Sequence, residues 1–92
     1  LLKIEGLPHP VIVVSNNYFN RSGMVIACPI VKTAAPGPLH IPLQDSAVEG
    51  IVLCEQVRYL DLSSRRWSKL TQTHYFDIMD ISDAVVSMLE YQ

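Results

Sequence analysis

Apolar residues fall in short runs separated by turn formers, and the period changes once, near the C-terminal end. Val11-Ile12-Val13-Val14-Ser15, following Pro8 and Pro10, has the β-branched composition of a buried strand. Asn16 to Gly23 is rich in turn formers and predicts a loop. Met24 to Ile30 predicts a second apolar strand, in which Pro29, lacking an N–H, fits an edge or a strand end. Ala34-Ala35-Pro36-Gly37-Pro38 predicts a loop. Leu39 to Leu43 alternates like an edge strand closed by Gln44-Asp45-Ser46.

Gly50 to Asp61 predicts one long central strand. Ile51, Leu53, Glu55, Val57 and Tyr59 share one face, and Val52, Cys54, Gln56, Arg58 and Leu60 the other. Leu62 to Arg66 predicts a turn or a single helical turn, and Trp67 to Thr71 a last short strand. From Tyr75 the spacing becomes helical. Ile78, Ile81, Val85, Met88 and Leu89 form an apolar stripe on a helix running to about Glu90. Short strands followed by one helix imply a strongly curved antiparallel sheet or partial barrel.

Composition bounds this picture without changing it. With 92 residues, 49% of them hydrophobic and 17% charged, the chain is expected to form one domain over 1–92. A chain of this size buries roughly 60–65% of its unfolded surface, which predicts a single thin core. No apolar run approaches the ~20 residues of a membrane span. The opening Leu-Leu-Lys-Ile-Glu has neither an initiator Met nor a secretory pattern, so a few leading residues are expected to be missing and nothing marks the chain for export. Cys28 and Cys54 are too few for a disulfide scaffold and are expected to be buried thiols in a reducing cytosol. His9, His40 and His74 are too scattered for a zinc site.

Charge adds an asymmetry. Net charge is −2, yet Arg58, Arg65, Arg66 and Lys69 place four of the seven basic residues within 12 positions. The tail holding Asp77, Asp80, Asp83 and Glu90 has no base. A locally positive face on an acidic protein is one reading, and an ordinary solvated segment is the other.

No Gly-rich phosphate loop, HExxH or GxSxG occurs. The residues themselves carry a resemblance. His9-Pro10-Val-Ile-Val-Val-Ser15, Asn20-Arg21-Ser22-Gly23, Cys28-Pro29-Ile30 and Gly50-Ile-Val-Leu-Cys-Glu55-Gln56-Val-Arg58-Tyr-Leu-Asp61, then Asp61-Leu-Ser-Ser-Arg65, stand in the order and spacing of the MazF/PemK (Kid) toxins. The likeness runs from about Ile4 to the terminal helix. It implies an SH3-like barrel (MazF/PemK/CcdB-like) that forms a homodimer, with the family's first strand missing here. It also implies a cytoplasmic, cofactor-free and metal-independent endoribonuclease, the toxin of a type II toxin–antitoxin pair, neutralised by a cognate antitoxin. Such enzymes cut single-stranded mRNA at short sequences by attack of the substrate's 2′-hydroxyl, leaving a 2′,3′-cyclic phosphate and a 5′-hydroxyl.

That chemistry needs a base at the 2′-oxygen, an acid at the leaving 5′-oxygen and a donor or cation on the phosphorane. His9 stands beside the Pro that opens the first family strand, where relatives carry Arg or, one residue earlier, Arg before His-Pro; this chain has Pro8. Val31 takes the place of a family Thr or Ser after Pro-Ile, and Thr33, two residues on, faces the same side. His9, Glu55 and Thr33 are thus the expected catalytic residues. Arg21, Gln56, Arg58, Lys32, Arg65, Arg66 and Tyr18 are the expected RNA contacts, with Tyr18 and Trp67 able to stack on bases. Plainer readings stand beside these: His9 as a loop residue, Glu55 in a surface ion pair with Arg58 or Arg21, and the basic residues as solvated side chains. The departures at Pro8, His9 and Val31 keep a second function open, a weakened member that binds nucleic acid or antitoxin without cleaving. A protein-interaction module of SH3 type is a third, disfavoured by 8% aromatic residues.

Overall fold

The computed structural model describes residues 1–44, 49–70 and 75–89. Its strands are β1 (Leu2–Ile4), β2 (Val11–Val13), β3 (Met24–Val31), β4 (His40–Pro42), β5 (Ile51–Leu53), β6 (Arg58–Asp61) and β7 (Trp67–Lys69). A one-turn helix α1 (Asn17–Asn20) precedes β3, and α2 (Tyr75–Ser87) ends the described chain. Single 3₁₀ turns occupy Cys54–Gln56 and Leu62–Ser64. The strand order is β4-β5-β3-β2-β1-β7, all antiparallel, with β6 also on β3. This is the mainly antiparallel architecture with one C-terminal helix that the periodicity implied.

β3 organises the sheet. One edge pairs with β2, and the other pairs first with β6 and then with β5. The single long strand expected over Gly50–Asp61 is therefore wrong: the segment is two strands joined by a turn. Ala27 faces Arg58 and Ile30 faces Val52, so three steps along β3 correspond to six along the other chain. The three surplus residues are Cys54–Gln56, which leave the ladder as the 3₁₀ turn. This turns Glu55 and Gln56 out to solvent while Cys54 stays buried, sparing the sheet a charge at its centre.

Pro29 lies inside β3 rather than at its end. Ile30 donates its N–H across to the Pro10 carbonyl at 2.9 Å. Successive N–H groups alternate sides, so the Pro29 nitrogen faces the gap between β5 and β6, where no ladder bond is lost.

Two small clusters replace the single core expected from size. Ile12, Cys28, Ile30, Val52 and Cys54 pack beneath Ile81 and Ala84 of α2 on one face of the sheet. Leu2, Ile4, Val11, Val25, Ala27 and Leu60 fill the other face. Strand alternation sorts them, Cys28 and Ile30 to one side, Val25 and Ala27 to the other.

Other differences are local. The Asn16–Gly23 loop holds α1, capped by the Asn16 side chain, which accepts from the Phe19 N–H at 2.9 Å. β1 had no strand expectation, because its three residues gain a pattern only by pairing with β7 and β2. Ile81 and Ala84 form the buried stripe of α2, but Leu89 is 76% exposed, one turn beyond the last residue that reaches the sheet. His74, Thr71, Asp45, Ser46 and Glu90 lie outside the described residues.

Candidate functional site

The end of β3 meets the connection between β1 and β2. His9 stands there between two prolines, exposed, while Pro10 is tied to β3 through Ile30. A groove of about 740 Å³ opens beside it, lined by Pro8, His9 and Pro10, by Ile30 to Thr33, and by Glu49. A smaller depression of about 110 Å³ shares Pro8 and His9 and adds Gln56 and Arg58. His9 therefore stands where both hollows meet. Lys32 and Thr33 flank one, and the amide of Gln56 and the guanidinium of Arg58 flank the other. The 3₁₀ turn is what brings Gln56 here, since it carries the chain over the Pro29 gap and returns it to β3 at Arg58.

Glu55, on the same turn, has a different neighbour. Its Oε1 lies 2.7 Å from His40 Nε2, and the other ring nitrogen of His40 lies 2.6 Å from the Ala35 carbonyl oxygen. The carbonyl, and after it the carboxylate, hold the His40 pKa above its ordinary 6.5. The His40 hydrogen bond in turn holds Glu55 below the usual carboxylate range. The plainer reading of Glu55, an ion pair with Arg58 or Arg21, does not hold. Glu55 faces β4 instead.

The remaining expected contacts lie elsewhere. Arg21 sits over the Tyr18 ring at 5.8 Å from its centroid, at the N-terminal end of β3. Eight strand residues, roughly 25 Å, separate that end from the His9 groove. Arg65 follows the Leu62–Ser64 turn, whose first N–H bonds to Gly23 at the same far end. Arg66 lines a shallow surface hollow with Lys3, Glu5 and Trp67, beside β1 and β7. Sequence reading did not select His40 or Glu49. His40 lay on a short edge strand without a visible partner, and Glu49 precedes a glycine with no pattern around it. Among the described residues no group of His, Cys, Asp and Glu is placed to hold a metal ion, and no helix is long and apolar enough to cross a membrane.

The sequence profile of the PemK-like, MazF-like toxins of type II toxin–antitoxin systems matches residues 3–89. The chain belongs to this family. Among individual MazF-like proteins, it is 35% identical over 66 residues to the endoribonuclease toxin ChpB of Escherichia coli (strain K12), a stretch covering 66% of this chain and 57% of ChpB. The match thus spans a little over half the length of that curated relative. MazF of Deinococcus radiodurans superposes with a TM-score of 0.84 at 26% identity, covering 97% of this chain and 91% of that one. The MazE–MazF complex from the same organism gives 0.83 at 27% identity, over 97% and 90%. A mycobacterial endoribonuclease solved with its cognate antitoxin shares the fold, with a TM-score of 0.79 at 20% identity over 95% and 85%.

Proposed function

We propose that this chain is the toxin of a type II toxin–antitoxin pair and acts as an endoribonuclease on single-stranded RNA. It works without a metal, as a cytoplasmic homodimer held in check by a cognate antitoxin. The observation that carries this reading is the meeting of His9 with Lys32 and Thr33 in one groove and with Gln56 and Arg58 in the next. A phosphodiester lying across His9 meets cations on both sides, which stabilise the extra negative charge of the phosphorane. An imidazole carries one nitrogen that can accept a proton and one that can donate, so His9 is suited to take the proton from the 2′-hydroxyl or deliver one to the leaving 5′-oxygen. Thr33 supplies a hydroxyl donor, and Gln56 an amide that reads a base edge. Glu55 acts through His40 rather than on the substrate. Family membership and the likeness to ChpB, an endoribonuclease toxin, support the same reading.

The test is incubation with a mixed-sequence RNA in the presence of a chelator, followed by analysis of the ends. Cyclic-phosphate and 5′-hydroxyl ends at recurrent short sequences are expected. Intact RNA at high protein concentration, with the fold preserved, contradicts the proposal.

A second reading rests on Pro8, His9 and Val31, which stand where the family resemblance leads to Arg and to Thr or Ser. All three line the groove. In that reading the protein binds RNA or antitoxin without cutting, and Pro8→Arg turns cleavage on.

A further inference from the structure

The His40 ring meets two acceptors at once. A backbone carbonyl offers no proton, and neither does an ionised carboxylate, so each contact needs an N–H from the ring. A neutral imidazole has one N–H and leaves one contact unmade; the imidazolium makes both. The two acceptors belong to different parts of the site. Ala35 lies in the segment that carries Lys32 and Thr33, and Glu55 lies on the turn that carries Gln56. The backbone of His40 adds a bond to the same segment, its N–H donating to the Gly37 carbonyl at 3.1 Å.

We infer that His40, as an imidazolium bridging the Ala35 carbonyl and the Glu55 carboxylate, is a positioning residue that clasps the Lys32–Leu39 segment to the Cys54–Gln56 turn and so fixes the two flanks of the His9 groove relative to each other. Among the described residues, Glu55 is the ionisable group facing the ring. β5, which pairs with β4, presents Ile51, Val52 and Leu53 and no charge, and Cys54 of the turn is buried with its thiol held protonated by desolvation. The clasp therefore opens in two directions. It is lost as pH rises through the raised His40 pKa and again as pH falls through the lowered Glu55 pKa.

The inference rests on the nuclease reading only for its effect on cleavage, so two readouts are taken. Hydrogen exchange at the backbone amide of residue 40, whose N–H is bonded to the Gly37 carbonyl, corrected for intrinsic rate, reports the order of the clasped segment. In the unmodified protein it is expected to show protection at about pH 6 that disappears by about pH 9, with no such dependence in His40→Gln or Glu55→Gln. RNA cleavage reports its consequence. His40→Gln is expected to lower kcat/KM by about tenfold near pH 6 and to converge on the unmodified enzyme near pH 9. Protection that does not change with pH, or that survives in both variants, overturns the clasp whatever the cleavage result. Cleavage that responds equally to His40→Gln at both pH values also overturns it. If the exchange pattern holds while the unmodified protein leaves RNA uncut, the clasp stands and the nuclease reading fails.

Discussion

A methyl group placed on Gly50 would lie 2.4 Å from Ile30 Cγ2 and 3.1 Å from the Val31 carbonyl oxygen. Ile30 is buried and β-branched, so its side chain cannot swing aside cheaply. Gly50→Ala is thus expected to cost about 1–3 kcal/mol in denaturant unfolding, through a shift of the β3 residues that line the groove; an unchanged unfolding midpoint would refute that packing. Cys28 shows a related effect of burial, its thiol pushed up to about 12 by desolvation, then by Cys54 and Glu55. Both cysteines are free and buried, as their apolar surroundings in the sequence suggested. His9, Gln56 and Arg58 were legible because their types suit phosphate chemistry and their blocks match a family. His40 and Gly50 were not. Each acquires its role only from a residue 15 to 20 positions away, and no local pattern encodes that pairing.

Elements are held in place by a few polar ties as much as by apolar contact. Asp77, in the first turn of α2, is buried, and its Oδ1 accepts the Gln44 N–H at 3.1 Å. Its position also suits the positive end of the helix dipole. Asp77→Ala removes the acceptor and is expected to cost about 1–3 kcal/mol, whereas Asp77→Asn keeps an oxygen there and costs less. Thermal unfolding of the two variants checks the order, and equal losses would count against the bond. The helix itself was readable from its 3.6-residue spacing, which tertiary packing reinforces. The break at Cys54–Gln56 was not, since alternation continues through it in the sequence and the need for surplus residues arises only from the partner change on β3. The same partner change explains the tolerated Pro29.

At the scale of the molecule, net charge says little and the distribution of charge says more. Lys32 and Arg58 border the His9 groove, while Arg21, Arg65 and Arg66 lie at the far end of β3 or along β7. The clustered basic window of the sequence is therefore divided in space, because β6 and β7 diverge after the Leu62–Ser64 turn. Anisotropy titrations with a 2′-deoxy, uncleavable strand separate the two groups. Arg58→Ala is expected to weaken binding more than Arg66→Ala and to reduce the slope of log K against log salt by about 0.7, the loss of one phosphate contact. The reverse order would move the RNA path away from His9.

The most direct test is a single-turnover comparison, in chelator, of the unmodified chain with His9→Gln, scoring cyclic-phosphate ends. The account predicts that the unmodified protein generates them and that His9→Gln loses about a hundredfold or more in rate while still binding the uncleavable strand. Equal rates in the two proteins would contradict it, and would place the chemistry outside the groove at the end of β3.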